Sequence, residues 1–132
     1  MRVLIVEEES LLRLSLGESI AQAGHTVLAS VTSTGEALLV ARNTAPSLVL
    51  IGLDPRYTQD GIRLARALEK LDIPSLFIAT SIVRAREGAD AALGVISKPV
   101  AFDEIPSALA AVGEVMSGRS PSFVPQMLTL FH

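Results

Sequence analysis

Residues Leu48 to Gly61 read LVLIGLDPRYTQDG. Four apolar residues run into Gly52, and an aspartate and a proline follow at Asp54 and Pro55. A short unbroken apolar run closed by turn residues is the pattern of a strand buried on both faces. Such a strand belongs inside a parallel sheet. Its carboxyl end is where a parallel sheet presents reactive groups. Here the residue presented there is a glycine, which carries no group to present.

The same pattern recurs on either side. Arg2–Val6, the HTVLAS and IPSLFIAT segments and GVIS (Gly94–Ser97) read as four further strands. Between them lie stretches of helical periodicity. SLLRLSLGESIAQAG has Ser10 as its cap and Gly24 as its stop, and TSTGEALLVARN has Ser33 and Glu36 at capping-box spacing. DGIRLARALEKL opens on Asp60, and IVRAREGADAAL forms a weaker, shorter helix. Phe102 to Met116 forms the last helix, with Asp103 as its cap and Pro106 in its early turns. Strand and helix alternate five times. This predicts an α/β domain with a five-stranded parallel sheet, helices on both faces and right-handed crossovers. Residues 118–132 differ in character. They begin with breakers and end in an apolar run, MLTLF, so they read as a linker-like tail docked by Phe123 or by that run.

Composition narrows the chemistry. A length of 132 residues suits one domain with its own core. With no cysteine, disulfides, thiolate metal sites and a cysteine nucleophile are excluded, and a reducing, cytoplasmic setting is expected. The net charge is −3 and there is no Lys/Arg block, so a nucleic-acid partner is not expected. The apolar runs are too short for a membrane span or a secretory signal. His25 and His132 have no partners at ligand spacing, no Ser/His/Asp set is readable, and no Gly-rich phosphate loop follows the first strand.

Three strand ends converge on one sheet edge: the acids Glu7, Glu8 and Glu9, then Gly52, then Lys98-Pro99. Carboxylates suit a hard divalent cation and a lysine suits a phosphoryl group. At this point the sequence resembles the receiver domains of two-component response regulators, over roughly residues 1–117. VLIVEEESLLR resembles that family's acidic opening strand, PSLVLIGL its phosphoacceptor strand, IPSLFIAT its fourth strand and ISKP its fifth. The resemblance implies a flavodoxin-like, doubly wound, three-layer fold with strand order 2-1-3-4-5 and five helices.

The same resemblance implies a site that is present only in part. The family's magnesium-binding acids fall on Glu7 and Glu8, and magnesium binding is expected to be weakened because Glu8 is one methylene longer than the usual aspartate. The phosphoacceptor position is Gly52. The hydroxyl position closing the fourth strand is Ala79, with Thr80 its neighbour, and the aromatic switch position is Val95. Lys98 and Pro99 match the pattern, and a cis Lys98–Pro99 bond is expected as in many relatives. Three connected losses describe a degenerate receiver, in which Lys98 is expected to pair with Glu7 or Glu8 in place of the missing aspartate.

Plainer readings stand beside these. Acids after a strand also suit a helix N-terminus, and a strand-end glycine also permits close backbone approach. Asp54 is the rival phosphoacceptor, but it lies two residues on, about 6–7 Å along an extended chain, and a loop cap is its default role. The expected function is a non-enzymatic signalling module working by contact with a histidine kinase, a phosphotransfer protein or another signalling protein. The chain ends soon after the fifth helix, so no fused effector is expected. The face formed by the fourth helix, fifth strand and fifth helix is expected to carry those contacts, including a homodimer. The alternatives are a phosphorylatable regulator using Asp54 or an acid of Glu7–Glu9, and a small-ligand binder on the same fold.

Overall fold

The computed structural model describes all 132 residues. Its strands are β1 (Arg2–Val6), β2 (Thr26–Val31), β3 (Leu48–Gly52), β4 (Ser75–Ala79), β5 (Gly94–Ser97) and β6 (Leu128–Leu130). Its helices are α1 (Ser10–Gln22), α2 (Thr34–Thr44), α3 (Thr58–Glu69), α4 (Ile82–Ala85) and α5 (Ile105–Met116). The sheet order is β2-β1-β3-β4-β5-β6. The first five strands are mutually parallel and have the expected order. The expectation of five strands is corrected to six, because β6 adds antiparallel to β5. At three residues, β6 is too short for alternation to register in the sequence.

The sheet separates two apolar layers, as strand alternation requires. On one face Leu4, Val6, Val49, Ile51, Phe77 and Val95 meet α2 and α3 through Ala37, Ala41, Ile62, Ala65 and Leu68. On the other, Val3, Ile5, Leu48, Leu50, Leu76, Ile78 and Ile96 meet α1 and α5 through Leu16, Ile20, Leu109 and Val112. β1, β3 and β4 are buried through nearly their whole length, which accounts for their unbroken apolar runs.

Several helix ends differ from expectation by a residue or two. The cap of α1 is Glu9 rather than Ser10, without a side-chain bond, while Gly24 beyond it takes φ +92°. Ser33 does cap α2, accepting the Glu36 N–H at 3.2 Å. Asp60 lies inside the first turn of α3, which starts at Thr58. The last helix opens with a 3₁₀ turn, Phe102–Glu104, before α5. The fourth helix is one turn followed by a 3₁₀ turn, Arg86–Gly88. It therefore leaves much of the β4–β5 surface to other groups.

Candidate functional site

The carboxyl ends of β1 and β3 and the loop after β5 surround a polar cleft of about 680 Å³. Glu7, Glu8, Gly52, Asp54 and Lys98 all line it, with Thr32 and Ser33 from the β2–α2 loop and Thr34 at the start of α2. The fold thus gathers the acids, the glycine and the lysine. It leaves Ala79, Val95 and Pro99 off the cleft wall.

Glu7 organises the centre. Its backbone N–H still follows the β1–β2 ladder, donating to the Val31 carbonyl at 3.0 Å. Val6 pairs with Ile51, so one step further Glu7 stands beside Gly52. Its carboxylate lies over the glycine: a Cβ on residue 52 would overlap Oε1 and come within 2.8 Å of Cδ. Oε2 accepts the Glu9 N–H at 2.9 Å. Oε1 is buried without a hydrogen bond, and its nearest compensation is Lys98 Nζ at 3.8 Å. Glu7 is only 6% exposed. A buried carboxylate needs such a partner, because desolvation would otherwise be uncompensated. The glycine supplies the space and the lysine the charge.

The surrounding loops are tied down by backbone-directed bonds. Arg13 of α1 donates to the Glu7 and Glu8 carbonyls at 2.8 and 3.2 Å. The Lys98 N–H donates to the Ala79 carbonyl at 2.9 Å, joining the ends of β4 and β5. The Lys98–Pro99 peptide is cis.

Asp54 lies beyond the end of β3, in the loop. Its Oδ1 accepts the Arg56 backbone N–H at 2.9 Å and Nε at 3.2 Å, and its Oδ2 accepts Nη2 at 2.9 Å. These bonds to Arg56 hold its pKa down at about 2. Arg56 was not singled out in the sequence reading. The signal was there in Asp-Pro-Arg, an aspartate placed to bond the backbone two residues on.

Magnesium does not fit this arrangement. No three carboxylate or imidazole side chains stand together as a metal-binding group. Glu7 is turned toward Lys98, Asp54 toward Arg56, and residue 52 offers no side-chain oxygen. Ala79 and Val95 are packed as core, 3% and 0% exposed.

No family model and no curated protein matches the sequence. Solved structures do match the fold. The signal receiver domain of a modulated diguanylate cyclase from Desulfovibrio desulfuricans G20 is 24% identical, with a TM-score of 0.72 over 88% of this chain and 97% of that one. A LuxR-family two-component response regulator from Aurantimonas sp. SI85-9A1 is 23% identical, with a TM-score of 0.75 over 90% and 86%. The isolated REC domain of RcsB from Salmonella enterica serovar Typhimurium, solved with the phosphomimetic BeF3−, is 17% identical, with a TM-score of 0.76 over 96% and 94%.

The chain has the fold of a response-regulator receiver domain. On the receiver fold the cleft described above lies at the carboxyl ends of the central strands, the general ligand position of open parallel sheets. Its content is a glutamate–lysine pair laid across a glycine.

Proposed function

We propose that this protein is a receiver-like signalling module that works by protein–protein contact, without phosphoryl transfer at position 52. The observation that carries the reading is the Glu7 carboxylate lying in the space a side chain at position 52 would need, with Lys98 as its partner. Phosphoryl transfer needs an accessible nucleophile aligned with the donor. Gly52 offers none, Glu7 Oε1 is buried, and both Asp54 oxygens are held by Arg56. A fixed negative charge beside the lysine is supplied by the chain itself, so the cleft holds one state regardless of phosphodonor. The partners that suit this role are a histidine kinase, a phosphotransfer protein or another signalling protein.

The test is incubation with acetyl phosphate and magnesium, followed by intact-mass measurement at short and long times. No phosphoryl adduct is expected, and BeF3− is expected to leave the amide spectrum of the cleft unchanged. An adduct that disappears in Asp54→Asn or Glu7→Gln would overturn the proposal and identify the displaced acceptor.

A further inference from the structure

The cleft leaves unexplained the outer edge of β5, where residues 127–131 are seated. β6 pairs with β5 through Gly94–Leu130, Val95–Thr129 and Ile96–Leu128. The Ser97 N–H donates to the Met127 carbonyl at 2.8 Å, and the Phe131 N–H to the Leu93 carbonyl at 3.0 Å. Leu128 enters the layer formed with α5, while Phe131 turns to the opposite layer. There its ring lies 6.4 Å from that of Phe77, with the Arg86 guanidinium 5.8 Å from its centroid. His132 Nε2 donates to the Ala89 carbonyl at 2.9 Å. The one-turn α4 leaves room for this aromatic beside Phe77.

The seat is cut for this strand. β5 begins with Gly94, where a β-branched residue would ordinarily be favoured. A Cβ there would overlap the Thr129 carbonyl oxygen and lie 3.1 Å from the Leu130 Cα. A strand glycine of this kind marks close backbone approach.

The connection to the seat is of a different quality. Residues 117–126 contain no helix or strand and are largely exposed. Beyond the end of α5, the side-chain bond that holds them is Ser122 Oγ to Glu114 at 3.4 Å. Pro121 and Pro125 favour an extended path. Phe123, 63% exposed, and Val124 beside it lie uncovered in the closed chain. Ten extended residues reach on the order of 30 Å, enough to pass to a neighbouring molecule.

We propose that the β5 edge is a self-association site whose occupant is the C-terminal strand of a second copy, giving a dimer by reciprocal tail exchange. Exchange reproduces every seat contact, so its cost is low. It also places the two linkers side by side, where Phe123 and Val124 cover one another. A second copy is favoured over an unrelated strand because Gly94 and the space beside Phe77 match this chain's own residues 128–131.

Complementation tests this. Phe131→Ala spoils the tail and keeps the seat; Gly94→Val spoils the seat and keeps the tail. An equimolar mixture is expected to give a heterodimer by native mass spectrometry, with one tail seated in trans, while each variant alone self-associates at least about tenfold more weakly than the unaltered chain. Folded variants that stay monomeric when mixed would overturn the proposal. Should either variant unfold, hydrogen exchange on the unaltered chain decides. Exchange of the Leu128–Leu130 amides at least about tenfold faster than those of β3 supports a seat that opens without global unfolding. Equal rates for the two strands would overturn it.

Discussion

At the scale of single residues, the centre of this molecule is a trade between position 52 and position 7. Removing the side chain at 52 lets Glu7 fold back over the glycine, and Lys98 then faces Glu7. Lys98 is 23% exposed and the separation is 3.8 Å, so the pair lies between the exposed and buried limits. Lys98→Met is expected to cost about 2 kcal/mol in urea unfolding, because it leaves Glu7 buried without compensation. Glu7→Gln/Lys98→Met is expected to recover about half of that loss, and the double-mutant cycle measures the coupling directly. Asp54 gives a second residue-scale expectation. Its carboxyl is held at about 2 against an ordinary 3.8, so the bond with Arg56 favours the folded state fully above the ordinary value. That contribution is lost as pH falls through about 2. A carbon-detected NMR titration is expected to show the Asp54 pKa returning toward 3.8 in Arg56→Ala, with Asp90 unchanged. The identities of Gly52, Ala79 and Val95 can be read directly from the sequence. It did not disclose that Glu7 lies across Gly52, because side-chain direction depends on a vacancy that only the β1–β3 register creates.

At the scale of elements, what was legible follows burial. β1, β3 and β4 carry unbroken apolar runs because both faces are covered. Helix α1 was harder to delimit, since Leu11 and Leu14 are exposed and blur its periodicity. The fourth crossover read as a weak helix and is one turn plus a 3₁₀ turn. Gly88 shows why it can be so compact. A Cβ there would lie 2.7 Å from two ring carbons of Phe77, a fully buried side chain. The 3₁₀ turn therefore presses directly on the core, and Arg66 fastens it by bonds to Asp90 and the Glu87 carbonyl. Gly88→Ala is expected to destabilise by about 2 kcal/mol as an overpacking substitution. Arg66→Ala, at an exposed ion pair, is expected to cost about 0.5 kcal/mol. Paired thermal melts separate the two. A smaller effect at Gly88 than at Arg66 would mean that surface bonds, rather than ring contact, position the segment. The sixth strand was legible only as the apolar run MLTLF, read as docking on the domain; its pairing with β5 beside Gly94 was not.

At the scale of the whole molecule, the question is whether the cleft and the β5 edge are coupled. A receiver that switches must connect its cleft to its outer surface. Here Val95 is fully buried, cross-strand from Phe77 in β4 and Thr129 in β6. Ala79 lies outside the cleft. At positions 79 and 95, between the cleft and the β5 edge, the chain places buried apolar side chains. An element biased by a ligand needs two discrete arrangements with different affinity for it. Placing a carboxylate at position 52 tests the point. Gly52→Asp must displace Glu7, so it is expected to be less stable than the unaltered chain by about 1–3 kcal/mol without divalent cations. Magnesium is expected to recover much of that loss, since the new carboxylate, Glu7 and Glu8 can then share a hard cation. BeF3− added with magnesium is expected to shift the amides of residues 7–9, 32–34 and 52–57. The amides of Gly94–Ser97 and Leu128–Leu130 are expected to stay in place. Movement of the β6 amides in that variant would show that the cleft still drives the seat of the tail, and that one substitution had silenced a pathway which the packing otherwise retains.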